Sequence, residues 1–259
     1  MTDVTNRSQV QDLISRGAIF YCSHSGGKDS QAQYALLHAL VPADQLVVVH
    51  ADLGDIEWDG VQEHIRATVF QEVNVVRAVW KDGTPKDLLS QVERRYQARP
   101  DVPCWPSSST RFCTSDLKRD PIHKFIRQDL KARGSLLGVN ATGLRAEESP
   151  ARAKRPTLEL NKRLSKAGRE VYEWLPIHHL TTQEVFEIIA RAGQEPFHAY
   201  LEGNERLSCV FCIFGCQGDL RNGARQRPEL LQKYVDLETR TGYTFFHKQS
   251  ILDKIGDIS

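Results

Sequence analysis

Residues 23–30 read Ser-His-Ser-Gly-Gly-Lys-Asp-Ser, between the apolar run Ala18-Ile19-Phe20-Tyr21-Cys22 and the helix-like stretch Gln31 to Leu40. A strand, a glycine turn and a helix N-terminus in that order make an anion site. Glycines let backbone N–H groups close on oxygens, and the helix dipole favours negative charge there. Lys28, Ser25 and Ser30 can add side-chain donors to the backbone at Gly26 and Gly27. A Gly-Gly turn without a ligand has no use for that lysine and two serines together. The Walker A spacing does not fit, because Cys22 stands where its first glycine belongs and Asp29 follows the lysine. The fingerprint Gly-x-Gly-x-x-Gly also fails, since only Gly26 and Gly27 are present.

The rest of the chain repeats the strand-helix alternation. Helix is expected through Arg16, strand near 18–23, helix near 30–40 and strand over Gln45 to Ala51. Further helix is expected over Trp58 to Gln71, strand over Val73 to Trp80, helix over Pro85 to Gln97 with the proline in its first turn, and helix over Pro121 to Arg133. A fourth strand, Leu136 to Gly143, and the run Val171 to Leu175 complete the α/β part. Continuous apolar runs, rather than alternation, predict strands buried on both faces of a parallel, doubly wound sheet with ligands beyond the C-terminal strand ends. Two segments break the pattern: the proline- and serine-rich loop Ala98 to Phe112, and the basic stretch Arg145 to Arg169. After residue 175 the chain reads as helical, with Thr181 as N-cap and Glu184 at the capping-box position, and a later helix over Pro228 to Thr241. The expected organisation is a nucleotide-binding domain over 1–175 and a helical, cysteine-containing subdomain over 176–259.

Polar residues gather at the expected strand ends. Asp52 follows the second strand, where a carboxylate can meet a ribose, an adenine amino group or Mg2+, or simply cap a helix. Gly143 and Arg145 follow the fourth. An arginine there can offset charge on a phosphate, or form a surface ion pair with Glu147 or Glu148. Cys209, Cys212 and Cys216 stand within eight residues. With Cys113 or Cys104 as a fourth thiol they suit tetrahedral zinc or a [4Fe–4S] cluster, and the apolar flank Val210, Phe211, Ile213 and Phe214 suits the cluster. A structural zinc ribbon is the bland alternative. Cys22 reads as a core residue.

Ser25-Gly-Gly-Lys-Asp-Ser30, Arg111-Phe-Cys-Thr114 before a lysine-containing helix, and Gly143-Leu-Arg145 with Glu148-Ser-Pro-Ala-Arg152 occur in one order. Together they resemble the phosphoadenosine phosphosulfate (PAPS) reductase family of the PP-loop, or adenine nucleotide α-hydrolase, superfamily. The resemblance covers roughly residues 15–220. Leu53 departs from it, since many members carry threonine there. The resemblance implies that Lys28, Ser25, Ser30 and the Gly26 and Gly27 backbone grip the leaving pyrophosphate of ATP. It also implies that Asp29 orients the loop or the metal, with Arg145 at the transferred phosphorus. Sulfonucleotide reductases of the family carry a catalytic cysteine in a C-terminal motif, and Thr244 to Ser259 contains no cysteine. The thiol pattern is closer to the iron-sulfur ATP pyrophosphatase components of DNA phosphorothioation systems. This implies ATP, Mg2+ and a [4Fe–4S] cluster on Cys113, Cys209, Cys212 and Cys216, with zinc as the alternative metal.

Composition bears on partners. Arg111 to Arg133 carries +4 and Arg145 to Arg169 carries +5, so the remainder carries −8. Such segregation suits a polyanionic acceptor, DNA or RNA, although the first stretch also fits a solvated helix face. Modification partners including a sulfur donor are expected. No apolar run approaches a membrane span and the N-terminus has no signal-like core, so a cytoplasmic protein with reduced or metal-bound cysteines is expected. Three functions remain: an ATP pyrophosphatase serving sulfur transfer, a reductase of PAPS or adenosine phosphosulfate, and a nucleotide-sensing subunit without turnover.

Overall fold

Alternate residues of the first strand are buried on opposite faces, and the layering of the sheet follows from this. The computed structural model describes residues 4–257, so the first residues of the helix expected through Arg16 and the end of the tail lie outside the described residues. Helix α1 (Arg7–Ser15) precedes β1 (Ile19–Ser23), and α2 (Lys28–Leu40) follows it. Next come β2 (Leu46–Asp52), α3 (Val61–Thr68), β3 (Val73–Arg77), α4 (Leu88–Ala98), α5 (Phe112–Thr114), a π-helical turn over Ser115–Arg119 and α6 (Asp120–Ala132). The chain continues with β4 (Leu137–Ala141), α7 (Pro150–Ala153), β5 (Leu158–Leu160), β6 (Glu170–Trp174), α8 (Thr182–Arg191) and α9 (His198–Leu201). It closes with α10 (Gln217–Gln226), α11 (Pro228–Thr241) and α12 (Ile251–Ile255).

The strands form one six-stranded sheet in the order β3-β2-β1-β4-β6-β5. β1 pairs in parallel with β2 and β4, and β4 in parallel with β6, while β5 runs antiparallel on the edge. Phe20 and Cys22 join Val10, Leu13, Tyr34 and Leu37 in one apolar layer. Ile19 and Tyr21 join Ile126 and Leu130 in the other. Helices on both faces of a sheet whose order reverses at β1 and β4 define the doubly wound α/β fold, with its crevice at the carboxyl ends of those two strands. The fully buried Trp174 closes the first layer edge-on to Phe20, and its Nε1 donates to the Thr5 carbonyl at 3.0 Å.

The chain divides into two compact units that sequence contiguity does not delimit. The first contains residues 4–50, 60–76 and 122–197, and the second 51–59, 77–121 and 198–257. The second unit has its own aromatic core. Tyr234 stacks on Trp105 and meets Phe211 and Phe245 edge-on, and the buried Glu238 carboxylate accepts from the backbone N–H groups of Phe245 and Ile251.

Several element boundaries depart from the sequence expectation. Pro85 lies outside α4, in a bridge with Val79, because Asp87 caps that helix by accepting from the Ser90 N–H at 2.8 Å. β3 stops at Arg77 rather than Trp80, and α3 spans eight residues where a longer helix was expected. The basic stretch after β4 is not structureless, since it holds α7 and the edge strand β5. The Thr181 cap forms as expected: its Oγ1 accepts from the Glu184 N–H, and Glu184 accepts in return from the Thr181 N–H at 2.7 Å. Among the described residues no helix is long and apolar enough to cross a membrane. Trp174→Ala is expected to cost about 3–5 kcal/mol, the usual range for emptying a buried aromatic site. A urea titration checks this, with the midpoint falling and the slope unchanged.

Candidate functional site

The loop after β1 opens on the N-terminus of α2, and Gly26 makes the turn in the left-handed region, at φ 77°. The N-cap of α2 is Gly27, with no side chain capping the helix, so the first-turn N–H groups point into the loop. Ser30 braces the loop, its hydroxyl donating to the Gly27 carbonyl at 2.8 Å and accepting from the Ser25 N–H at 3.1 Å. Ser25 Oγ lies 3.3 Å from Ser30 Oγ. Lys28 is only 4% exposed, and its ammonium donates to Asp29 at 3.0 Å. A buried cation, two hydroxyls and open helix N–H groups can hold a phosphate chain.

The loop after β4 packs onto this cradle. A Cβ on Gly143 would stand 3.0 Å from the Asp29 carbonyl carbon and oxygen and 3.2 Å from the Ser30 nitrogen, so only glycine permits this approach. Arg145 is 3% exposed and acts as a clamp. Its Nε donates to Asp29 at 2.6 Å, Nη1 to Glu147 at 2.5 Å and to the Leu180 carbonyl at 3.2 Å, and Nη2 to Thr182 at 3.1 Å. The expected ion pair with Glu147 is therefore present, but Arg145 makes it from a buried position and shares its charge with Asp29. Burial opposes its charge, but Asp29 and Glu147 outweigh burial and raise its pKa. Asp29 is bridged between two cations, Lys28 and Arg145.

In the second unit, Asp52 accepts from the Gly54 N–H at 2.8 Å and pairs with Arg77 at 3.5 Å. Both partners hold the turn after β2. Cys113, Cys209 and Cys212 lie close enough to interact electrostatically with one another and with the half-buried Lys118 ammonium. Burial pushes the Cys209 thiol up to about 12, although Lys118 pulls it the other way. Cys216 has different company. Its sulfur is the N-cap of α10, accepting from the Asp219 N–H at 3.4 Å. Cys104 is buried near Thr241 and Arg95, and Cys22 is a fully buried core residue that accepts from Gln33. Among the described residues no three His, Cys, Asp or Glu side chains stand together as a metal-holding group. Of the four expected cysteine ligands, Cys113, Cys209 and Cys212 lie near one another, and Cys216 is engaged as a helix cap, a bond that a sulfur can keep while it holds a metal.

Three residues that the sequence did not single out belong to these sites. His24 is 2% exposed, and its Nδ1 accepts from the Gly26 N–H at 3.1 Å, which fixes the glycine turn. Burial, with His50 and His64 nearby, lowers its pKa to about 3, so the ring stays neutral and remains an acceptor. Lys118 lies in the π-helical turn before α6. Tyr234 is fully buried, and its hydroxyl has no hydrogen-bond partner among the described residues. His24 was within the loop run, but its role depends on burial, which no spacing displays.

A doubly wound sheet with a glycine loop and a helix N-terminus at its switch point defines the architecture of a nucleotide-binding α/β protein. The model of the phosphoadenosine phosphosulfate reductase domain matches residues 19–214, and the chain belongs to that family. An uncharacterized protein of Escherichia phage 186 is 31% identical over 135 residues, which is 52% of this chain and 39% of that protein. An uncharacterized protein of Methanocaldococcus jannaschii is 22% identical over 231 residues, 85% of this chain and 48% of that protein. The chain thus spans less than half the length of these relatives. Among solved structures, PAPS reductase from Candida auris in a phosphate complex is 14% identical, with 78% of this chain and 87% of that one covered, at a TM-score of 0.49. A 4-thiouridine synthetase with RNA and bound ATP is also 14% identical, with 87% and 53% covered, at a TM-score of 0.37.

Gly143→Ala is expected to push the Asp29 backbone away and weaken binding of inorganic pyrophosphate to the loop roughly ten-fold or more, since overpacking costs about 1–3 kcal/mol. Calorimetric titration checks this, and unchanged affinity would remove the loop backbone from the phosphate cradle. The Arg145 clamp also has a pH signature. Hydrogen bonding from Arg145 holds the Glu147 carboxyl below the ordinary glutamate value of 4.5. Its contribution to stability is complete above pH 4.5 and is lost as pH falls through the lowered value. Acid titration of folding should therefore show a shallower loss in Glu147→Gln than in the parent protein.

Proposed function

We propose that the chain is a PP-loop ATP pyrophosphatase that activates an acceptor for sulfur transfer, with DNA phosphorothioation as the setting. The observation that carries this is the uncapped N-terminus of α2, where buried Lys28 and Ser30 and exposed Ser25 gather on a loop that Gly143 presses into shape. An acceptor oxygen attacks the α-phosphorus of ATP and forms a new P–O bond. The bond to the α–β bridging oxygen breaks, and pyrophosphate leaves with the electron pair into the loop. A backbone phosphodiester oxygen attacks as the anion, so no proton has to leave the acceptor. Lys28 and the loop N–H groups offset charge on the leaving group, and Mg2+ would supply further neutralisation on the phosphates. The arriving anion competes with Asp29 for Arg145, which frees a guanidinium N–H for the transferred phosphorus and leaves Asp29 to orient the loop or the metal. Asp52 meets the nucleoside or Mg2+ by exchanging its Arg77 pair. A sulfur donor then displaces AMP from the activated acceptor.

A [4Fe–4S] cluster on Cys113, Cys209, Cys212 and Cys216, or zinc in its place, is part of this reading, with the Asp219 N–H bond to Cys216 as support for that sulfur. No step above depends on it. The family description favours a second reading, reduction of PAPS or adenosine phosphosulfate, in which the same loop grips a sulfonucleotide. Nucleotide sensing without turnover is the third. Product analysis separates them: AMP and pyrophosphate from ATP are expected, lowered about 10²–10³-fold in Lys28→Ala. ADP and phosphate, or sulfite from a sulfonucleotide, overturn the first reading. Anaerobic purification with iron, sulfide and zinc analysis decides the metal, and Cys212→Ser with undiminished metal content removes that ligand.

A further inference from the structure

The second unit carries an exposed aromatic with a cation laid against it. Phe214 is 42% exposed, two residues beyond Cys212, and the Arg111 guanidinium lies 5.6 Å from its ring centroid. Arg111 is itself exposed, two residues before Cys113, and no carboxylate among the described residues pairs with it. Cys113 and Cys212 interact with each other, so the Arg111–Phe214 pair flanks the thiol group from both of its chain segments. The surroundings are positive. Arg95 to Arg119 holds five Lys/Arg against two Asp, and one of the two, Asp116, is engaged by Lys86, Gln91 and Ser115. Arg95 and Arg99 are exposed, Arg95 lies 4.4 Å over the buried Phe112 ring, and Ser107 to Thr110 offer exposed hydroxyls.

An isolated surface phenylalanine needs no explanation. Here the arginine is held by the ring and not by a carboxylate, which leaves its N–H donors available while the ring stays partly open. That combination matches a base on its phosphate: the base stacks on the aromatic and the guanidinium takes the phosphate oxygens. A duplex keeps its bases stacked on each other, so the occupant is single-stranded. We propose that Arg111 and Phe214 form a docking point for single-stranded DNA beside the thiol group. The proposal rests on the nucleic-acid acceptor assigned above and names where that acceptor is held.

The test is fluorescence anisotropy of a short labelled DNA oligonucleotide with the full chain, across a salt series. The parent protein binds, Phe214→Ala binds about ten-fold more weakly or worse, and Phe214→Trp restores binding, as base stacking on an aromatic requires. Arg111→Ala lowers affinity and reduces the salt slope by about one. Thermal melting of each variant should match the parent protein, as expected for exposed positions. If the parent protein binds and both alanine variants bind equally well, this proposal fails while the nucleic-acid reading survives. If the parent protein binds no oligonucleotide, both fail. Tighter binding of an RNA of the same sequence overturns the assignment to DNA.

Discussion

The close approach of the β4 loop to the first turn of α2 is the constraint on which the candidate site depends. Gly143 touches the Asp29 and Ser30 backbone because it has no Cβ, and that contact places the two strand-end loops of the switch point against each other. Arg145 then ties Asp29 to Glu147, to the Leu180 carbonyl and to Thr182 at the start of α8. Three segments far apart in the chain are joined by one buried guanidinium. Parallel strands make this possible, since their connections return every C-terminal end to one edge.

Electrostatics in the first unit is arranged to hold cations without a bound anion. Lys28 and Arg145 are both nearly inaccessible, and Asp29 stands between them as an internal counter-charge. Burying two cations unpaired would cost far more than the fold could offset. His24 contributes by remaining neutral: its low pKa keeps Nδ1 an acceptor for Gly26, so the loop does not gain a third positive charge. The second unit follows a different rule. Its Lys118 ammonium lies among thiols, and the charge on Asp52 goes to Arg77.

Legibility in the sequence differed by residue for physical reasons. Ser25 to Ser30 could be read directly because strand, turn and helix start lie within one short contiguous stretch. Gly143 and Arg145 could be placed at a strand end, but the clamp that Arg145 forms could not, because its partners lie 116, 2 and 37 residues away. Pro85 was expected in the first turn of α4, but the Asp87 cap starts the helix later. β5 went unseen because three residues on an antiparallel edge carry no periodic signal. The spacing of Cys209, Cys212 and Cys216 suggested ligands, and the cap that Cys216 also makes on α10 is a role that thiol spacing does not encode.

The sequence by itself determined the parallel α/β class, the glycine loop between a strand and a helix start, and membership of a family, because each is written in local patterns of apolar runs, glycines and short motifs. Only the tertiary structure decided which groups are buried together. It made His24 a neutral brace, Arg145 a clamp, Lys118 a neighbour of three thiols, and the segments 51–59 and 77–121 part of a unit with the C-terminal residues. Burial and pairing depend on residues distant in the chain, and a local pattern holds no record of them.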